Sequence, residues 1–199
     1  YKFLINKSVL IPRPDTELVV EETLKYLPNF KSKKILDVGT GSGCIVVSLI
    51  KERPKCNATA IDISLKALNV AKTNAKLHQL ENKIKFINID IDKYKSYNYD
   101  LIISNPPYIN NVELNRLDDD IKLHEPKLAL SGGSNGFRDL KKVIIKSRKL
   151  LKINGKLILE IGYKQKKHFL KILSENKFYV NKISKDLSGK DRCIVSTKI

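Results

Sequence analysis

Apolar residues in this chain gather into short β-type runs, and the stretches between them repeat with helical spacing. Lys34-Ile35-Leu36-Asp37-Val38 reads as a buried strand ended by glycines. The spacing from Ser42 to Lys51 predicts a helix, Ala58 to Asp62 a second strand, and Ser64 the cap of a helix reaching about His78. Ile84 to Ile89 and Tyr99 to Ser104 predict two further strands, the latter halted by Asn105-Pro106-Pro107. Phe137 to Leu151 places Leu140, Val143, Ile144 and Leu151 at helical spacing. Lys156 to Ile161 follows as a fifth strand and Lys164 to Glu175 as a helix. Phe178 to Ser184 and Arg192 to Thr197 are two strands with no helix between them. Upstream, Phe3 to Ile11 reads as extended, and Pro14 to Leu27 as a helix with Pro14 or Asp15 near its start.

Alternating strands and helices predict an α/β fold, a mostly parallel sheet of seven strands with helices on both faces. The two consecutive terminal strands predict an antiparallel C-terminal hairpin at one edge. A length of 199 residues allows one domain. That domain is expected over residues 31–199, with an extended segment and helix over residues 1–30 leading into it.

Composition narrows the class. With 42% hydrophobic and 30% charged residues, the chain is a folded one. Cys44, Cys56 and Cys193 are far apart with no C-x-x-C, and His78, His124 and His168 are scattered with no H-E-x-x-H. A disulfide framework and a zinc cluster are therefore not expected, nor is any other metal site. A reducing compartment follows, a bacterial cytoplasm first and an organelle matrix second. No apolar run approaches the roughly 18 residues that would span a bilayer, so no membrane partner is expected. The chain starts at Tyr1 and contains no methionine, which suggests a fragment of a longer protein. The net charge is +17, yet only six of the 38 basic residues are arginine. Such a surface attracts anionic partners, nucleic acid above all. The lysines are spread and accompanied by abundant Ile and Asn, which AT-rich coding would produce without any dedicated face.

Candidate chemistry starts at Asp37-Val38-Gly39-Thr40-Gly41-Ser42-Gly43, which ends a strand and opens a helix. Ligands bind at such positions in open α/β sheets, and glycine lets backbone approach them. The spacing is G-x-G-x-G, unlike the dinucleotide fingerprint, and no Lys-Ser/Thr follows as in a P-loop, so a pyrophosphate or triphosphate is not favoured. A tight strand-to-helix turn is the alternative. Asp62 ends the next strand, where a carboxylate can accept both hydroxyls of a ribose. It could equally be a solvated strand end or a partner of the Ser64 cap. Asp90 ends the third strand and either meets an adenine amino group or is an ordinary loop acid. Three strand-end features in register suggest adenosine without phosphates, such as S-adenosylmethionine.

The second loaded segment is Asn105-Pro106-Pro107-Tyr108. A planar NH2 conjugated to a carbonyl or ring is a poor nucleophile, and a site that methylates it should accept hydrogen bonds from both N–H groups. Asn105 offers a side-chain carbonyl, and Pro106 a backbone carbonyl whose direction consecutive prolines fix. Tyr108 offers a flat face. Read alone, the segment is also a plausible Pro-Pro turn. Asp118-Asp119-Asp120 reads as a solvated acidic turn in preference to a metal site, Cys44 as a small buried side chain, and His124 as structural.

These motifs resemble the HemK/PrmC family, S-adenosylmethionine-dependent methyltransferases that modify the glutamine N5 of peptide-chain release factors. The matching residues are Leu10 to Glu17, Ile35 to Ile45, Ser104 to Ile109, His124-Glu125-Pro126, Ala129-Leu130, Gly132-Gly133, Asn135-Gly136, Glu160-Ile161-Gly162 and Asp186 to Arg192. The resemblance implies a Rossmann-like, seven-stranded class I methyltransferase sheet. It implies that Asp37, Gly39, Thr40, Gly41, Ser42, Gly43, Asp62, Ile63, Asp90, Ile91 and Asn105 hold S-adenosylmethionine and its product S-adenosylhomocysteine. Asn105 and Pro106, followed by Pro107, would bind the glutamine amide, with Tyr108 packing on it. Arg13 to Glu17 would help close the site. The substrate implied is the Gly-Gly-Gln motif of a class I release factor, acted on by a monomer with no need of nucleic acid. In place of the family's common bulky residue after the third-strand acid stands Ile91, and the family's N-terminal helical domain has no counterpart in these residues. The alternative is a nucleic-acid amino-methyltransferase acting on adenine N6 or guanine N2, whose targets carry the same planar NH2. A third is a non-catalytic binding module that has kept the sheet.

Overall fold

The computed structural model describes residues 1–199. Helix α1 (Pro14–Leu24) starts on a proline, whose fixed φ suits the first helical position. Strand β1 (Lys34–Val38) leads through the glycine loop into α2 (Cys44–Glu52), and β2 (Asn57–Asp62) into α3 (Leu65–Leu77). Ser64 Oγ accepts the Ala67 N–H at 3.2 Å, the expected N-cap of α3. Strands β3 (Ile84–Asn88) and β4 (Tyr99–Ser104) follow, with a short 3-10 turn at Ile91–Lys93 between them. Three short helices, α4 (Asn111–Asn115), α5 (Asp119–His124) and α6 (Lys127–Leu130), fill the segment before α7 (Arg138–Leu150). Strand β5 (Leu151–Glu160), α8 (Lys166–Glu175), β6 (Phe178–Lys185) and β7 (Asp191–Lys198) complete the chain.

The strands form one sheet of order β3-β2-β1-β4-β5-β7-β6. The first five are parallel, and β7 is antiparallel to both its neighbours. The expected C-terminal hairpin is therefore present, with β7 inserted beside β5 and β6 forming the edge. Successive side chains leave a strand on opposite faces, and here both faces are covered. Ile35 of β1, Leu101 and Ile103 of β4 and Val195 of β7 pack with α1 and α2 residues such as Val19 and Leu49. Leu36, Ile102, Leu157 and Ile194 pack on the other side with Leu140 and Ile144 of α7 and Phe169 of α8. This double burial is why the strands read as continuous apolar runs and not as alternation.

Helix α1 ends at Leu24 and not Leu27, α8 starts at Lys166 and not Lys164, and two further boundaries differ from expectation for visible reasons. Strand β5 starts at Leu151, before Lys156, because Leu151 pairs with Tyr99 and the register then shifts until Leu101 meets Lys156. The polar Lys152, Asn154 and Gly155 in that bulged stretch hide the pairing. Helix α2 starts at Cys44, not Ser42, because Gly43 holds φ +79° as its left-handed N-cap. No helix is long and apolar enough to cross a membrane.

The order places β1 and β4 side by side although they are not consecutive, so the connections from them lead to opposite faces. In open α/β sheets the crevice at that reversal takes the ligand.

Candidate active site

Ser104 Oγ donates to the Val38 carbonyl at 2.7 Å and ties the end of β4 to the end of β1. The glycine loop and the Asn105–Tyr108 segment consequently leave adjacent strand ends. Between them lies a cavity of about 200 Å³. Gly39, Thr40, Gly41 and Ser42 line it from β1, Asp62 and Ile63 from β2, Asp90 and Ile91 from β3, and Asn105, Pro106 and Pro107 from β4. The backbone N–H groups of Gly39 and Thr40 both donate to the Ile61 carbonyl, at 2.9 and 3.1 Å, which folds the loop over the end of β2.

Two residues expected to touch a cofactor do not reach this cavity. Asp37 is buried beneath the loop, where it accepts the Thr40 hydroxyl at 2.6 Å. Burial pushes its carboxyl up to about 7, against the opposing pull of that hydrogen bond. Gly43 packs against α3 instead of a ligand: an added Cβ would lie 3.0 Å from Ala71 Cβ and 3.2 Å from Ala71 Cα. On Gly39 or Gly41 an added Cβ would meet nothing within 4 Å, because those two face the open cavity.

Asp62 partners the Ser64 cap and also lines the cavity. Its Oδ2 accepts the Gly41 N–H at 3.0 Å and its Oδ1 the Ser64 N–H at 2.8 Å, so it anchors the loop and the α3 cap while lining the cavity. Each oxygen keeps a lone pair for a ligand hydroxyl. Burial raises its pKa above the ordinary carboxylate value. Asp90 Oδ1 accepts the Asp92 N–H at 2.8 Å and caps the 3-10 turn, while its Oδ2 lies 3.7 Å from Lys142 Nζ. Lys142, Arg138 and Asp139 of α7 also line this end, which no sequence pattern indicated.

The N-terminal segment is a strap over the cavity, lining it with Ser8, Val9, Leu10 and Pro12. Fully buried Asn74 of α3 holds it in place. Asn74 Oδ1 accepts the Leu4 N–H at 2.7 Å, and Nδ2 donates to the Leu4 and Ser42 carbonyls at 2.9 and 2.8 Å. One side chain thus clamps both the strap and the glycine loop.

Asn105, Pro106 and Pro107 also line a second cavity, of about 90 Å³, together with Tyr108, Arg13 and Glu160. Tyr108 faces this smaller cavity and not the first. Its hydroxyl donates to Glu160 Oε1 at 3.4 Å, and burial with the nearby Glu160 charge pushes its pKa up. Asn105 Nδ2 donates to Thr16 Oγ1 at 3.3 Å, and that hydroxyl donates to Glu160 Oε2 at 3.0 Å. Burial lifts the Glu160 carboxyl to about 7, against the hydrogen bond from Thr16.

The loop carrying these groups is held from behind. Gln165 Nε2 donates to the carbonyls of Tyr108 and Gly136, at 2.9 and 3.2 Å, and Gln165 Oε1 accepts the Gly162 N–H at 3.0 Å. A Cβ on Gly136 would collide with the Tyr108 carbonyl oxygen, and one on Gly132 would lie 2.7 Å from that of Pro107. Arg13 of the strap pairs with buried Glu125 between α5 and α6, joining the two segments that flank the smaller cavity. The acidic Asp118–Asp120 stretch forms the exposed start of α5, where Asp119 pairs with Lys122 at 3.2 Å.

Comparison with known proteins identifies this arrangement. A family model, the methyltransferase small domain, matches residues 16–121. The release factor glutamine methyltransferase of Enterococcus faecalis is 40% identical over 200 residues, covering 98% of this chain and 70% of that protein. This chain belongs to the release factor glutamine methyltransferase family. The family member from Fusobacterium nucleatum is 38% identical over 198 residues, and there the chain spans 56% of the relative's length. The sheet also matches the solved magnesium protoporphyrin IX methyltransferase of Synechocystis, crystallised with bound SAM, with a TM-score of 0.64 at 17% identity over 93% of this chain and 80% of that one. That likeness shows a shared class I methyltransferase fold. Within this chain, Thr16, Glu160, Asn74 and Gln165 line or support the two cavities, and no sequence pattern assigned any of them an individual role. Two signals marked Glu160: the matching Glu160-Ile161-Gly162 element, and its place at the end of the apolar run Leu157 to Leu159, like that of Asp62 at the end of β2.

Proposed function

We propose that this chain methylates the side-chain nitrogen of a glutamine in the Gly-Gly-Gln motif of class I release factors, using S-adenosylmethionine and leaving S-adenosylhomocysteine. The observation that carries the reading is the position of Asn105, half-buried on the wall shared by both cavities, with its NH2 committed to Thr16. With Nδ2 turned to Thr16, Oδ1 is the acceptor that Asn105 offers a substrate.

The larger cavity fits the cofactor. Gly39 and Gly41 leave open space where side chains would otherwise project, Asp62 offers acceptors suited to ribose hydroxyls, and Ile91 with Ile63 offers apolar surface for a base. When bound, S-adenosylmethionine supplies an electrophilic methyl group on a sulfonium. The residues of this chain act on the other reactant. Asn105 Oδ1 and the Pro106 carbonyl accept the two N–H groups of the carboxamide, which holds the nitrogen in place and favours the positive charge that develops as its bond to carbon forms. The N-alkylated amide is strongly acidic, so one N–H proton leaves without a strong base. Tyr108 and the glycine-buttressed loop keep the two acceptors aligned.

The test is mass spectrometry of a class I release factor after incubation with this protein, with its upstream region where the natural chain has one, and S-adenosylmethionine. A gain of one methyl on the glutamine is expected, lost in Asn105→Ala. Full activity in that variant would remove Asn105 from the mechanism, and methyl label in RNA or DNA but not in protein would replace the substrate.

A further inference from the structure

We infer that Thr16 and Glu160 are positioning residues, which together dictate that the Asn105 carboxamide meets its substrate with oxygen and not with NH2. The inference rests on the proposed amide methylation. It follows from donor and acceptor counting. An ionised carboxylate can only accept hydrogen bonds, whereas a hydroxyl has one proton to give. Thr16 Oγ1 lies 3.0 Å from Glu160 Oε2, so its proton goes there. Its remaining lone pairs can only accept, and the Asn105 atom 3.3 Å away is accordingly Nδ2. A buried acid on β5 thus sets the direction of a chain running through α1 to the loop after β4. Both intermediates are buried, Thr16 at 5% and Glu160 at 1% exposure, so water does not compete for these bonds.

The direction depends on Glu160 being ionised. A protonated Glu160 can donate to Thr16, which then donates to Asn105, and the carboxamide inverts. Its NH2 would then face the substrate NH2, donor against donor. Several groups face Glu160. From α1 come Thr16 and Asp15, from β7 Arg192 and Cys193, from the loop after β4 Tyr108, from the start of α2 Cys44, and from the strap Arg13. Asp15 opposes ionisation, and Arg192, Thr16 and Tyr108 favour it, but burial is the largest influence. Arg192 is itself shared between Asp15 and Asp186, at 3.0 and 2.9 Å, which weakens its hold on Glu160.

The test uses methylation of a release factor by the full chain. Thr16→Val keeps the shape and removes the hydroxyl, and it is expected to lower kcat by about tenfold, the size of one well-placed hydrogen bond. Thr16→Ser restores the hydroxyl and should recover most of that loss. In the unsubstituted protein kcat should rise with pH between about 6 and 8. Glu160→Gln, with its carbonyl toward Thr16 and its NH2 toward Tyr108, still accepts from Thr16 but does not titrate, so that rise should disappear and kcat at the lower pH should match that at the higher. Equal kcat in Thr16→Val and the unsubstituted protein would overturn the inference, as would an equal loss in Thr16→Ser or an unchanged pH limb in Glu160→Gln. Absence of any protein methylation by the unsubstituted chain would instead refute the functional reading, and this inference with it.

Discussion

Three glycines share one loop and one backbone requirement, yet the structure assigns them different tasks, and alanine substitution separates them. Gly39, Gly41 and Gly43 all hold positive φ, at +70°, +56° and +79°. An alanine at any of them bears the left-handed penalty of about 1–2 kcal/mol. Only at Gly43 does the new methyl also collide, lying 3.0 Å from Ala71 Cβ where contacting carbons prefer about 3.5–4.0 Å. Ala71 is wholly buried in the middle of α3, so it cannot swing aside as a flexible side chain would. Overpacking of that kind adds about 1–3 kcal/mol. Gly43→Ala should therefore cost about 2–5 kcal/mol, which for a domain of this size lowers Tm by about 4–20 °C. Gly39→Ala and Gly41→Ala should lower it by about half as much. Their methyl groups project into the cavity, so they should weaken cofactor binding by about tenfold or more, whereas Gly43→Ala should leave it within a few-fold. Thermal melts with calorimetric titration of S-adenosylhomocysteine measure both quantities. The reasoning fails if the three variants melt together, or if Gly43→Ala loses the ligand while keeping its Tm.

Other expectations follow from the same geometry. Gln165→Ala removes three hydrogen bonds behind the Asn105–Tyr108 loop and should lower kcat with little change in cofactor affinity, a split that steady-state kinetics beside direct titration would reveal. Arg13→Ala strips the partner from Glu125, whose side chain is 1% exposed and whose Oε2 already lacks one; a loss of about 1–3 kcal/mol is expected, with faster amide exchange across residues 119–130. Burial holds the carboxyls of Asp37 and Glu160 up at about 7, so between about pH 4 and 7 the folded chain binds more protons than the unfolded one, and stability should fall as pH rises through that window and level above it. Asp37→Asn should flatten part of that decline in melts taken across the range, and an unaltered slope would count against the buried acid as its source.

The sheet, its class and the two loaded loops could be read from local pattern because they rest on local chemistry. Apolar runs such as Leu101 to Ile103 declare a strand buried on both faces, glycines declare a turn, and Asn105-Pro106-Pro107 declares a strand end with a fixed carbonyl. Helices α4, α5 and α6 escaped because each is too short to show a period of 3.6 residues. Which strand-end residues face the cavity was a matter of packing. Asp37 and Gly43 belong to the same motif as Gly39 and Gly41, but the approach of α3 and the fold of the loop onto Ile61 turn them inward. The longest-range decision concerns Asn105. Its carboxamide is oriented by Thr16, 89 residues away, and through it by Glu160, 144 residues from Thr16, and no periodicity links those positions. Side-chain hydrogen bonds between distant segments depend on which strands become neighbours, and that is settled only when β5 docks beside β4 with α1 against it.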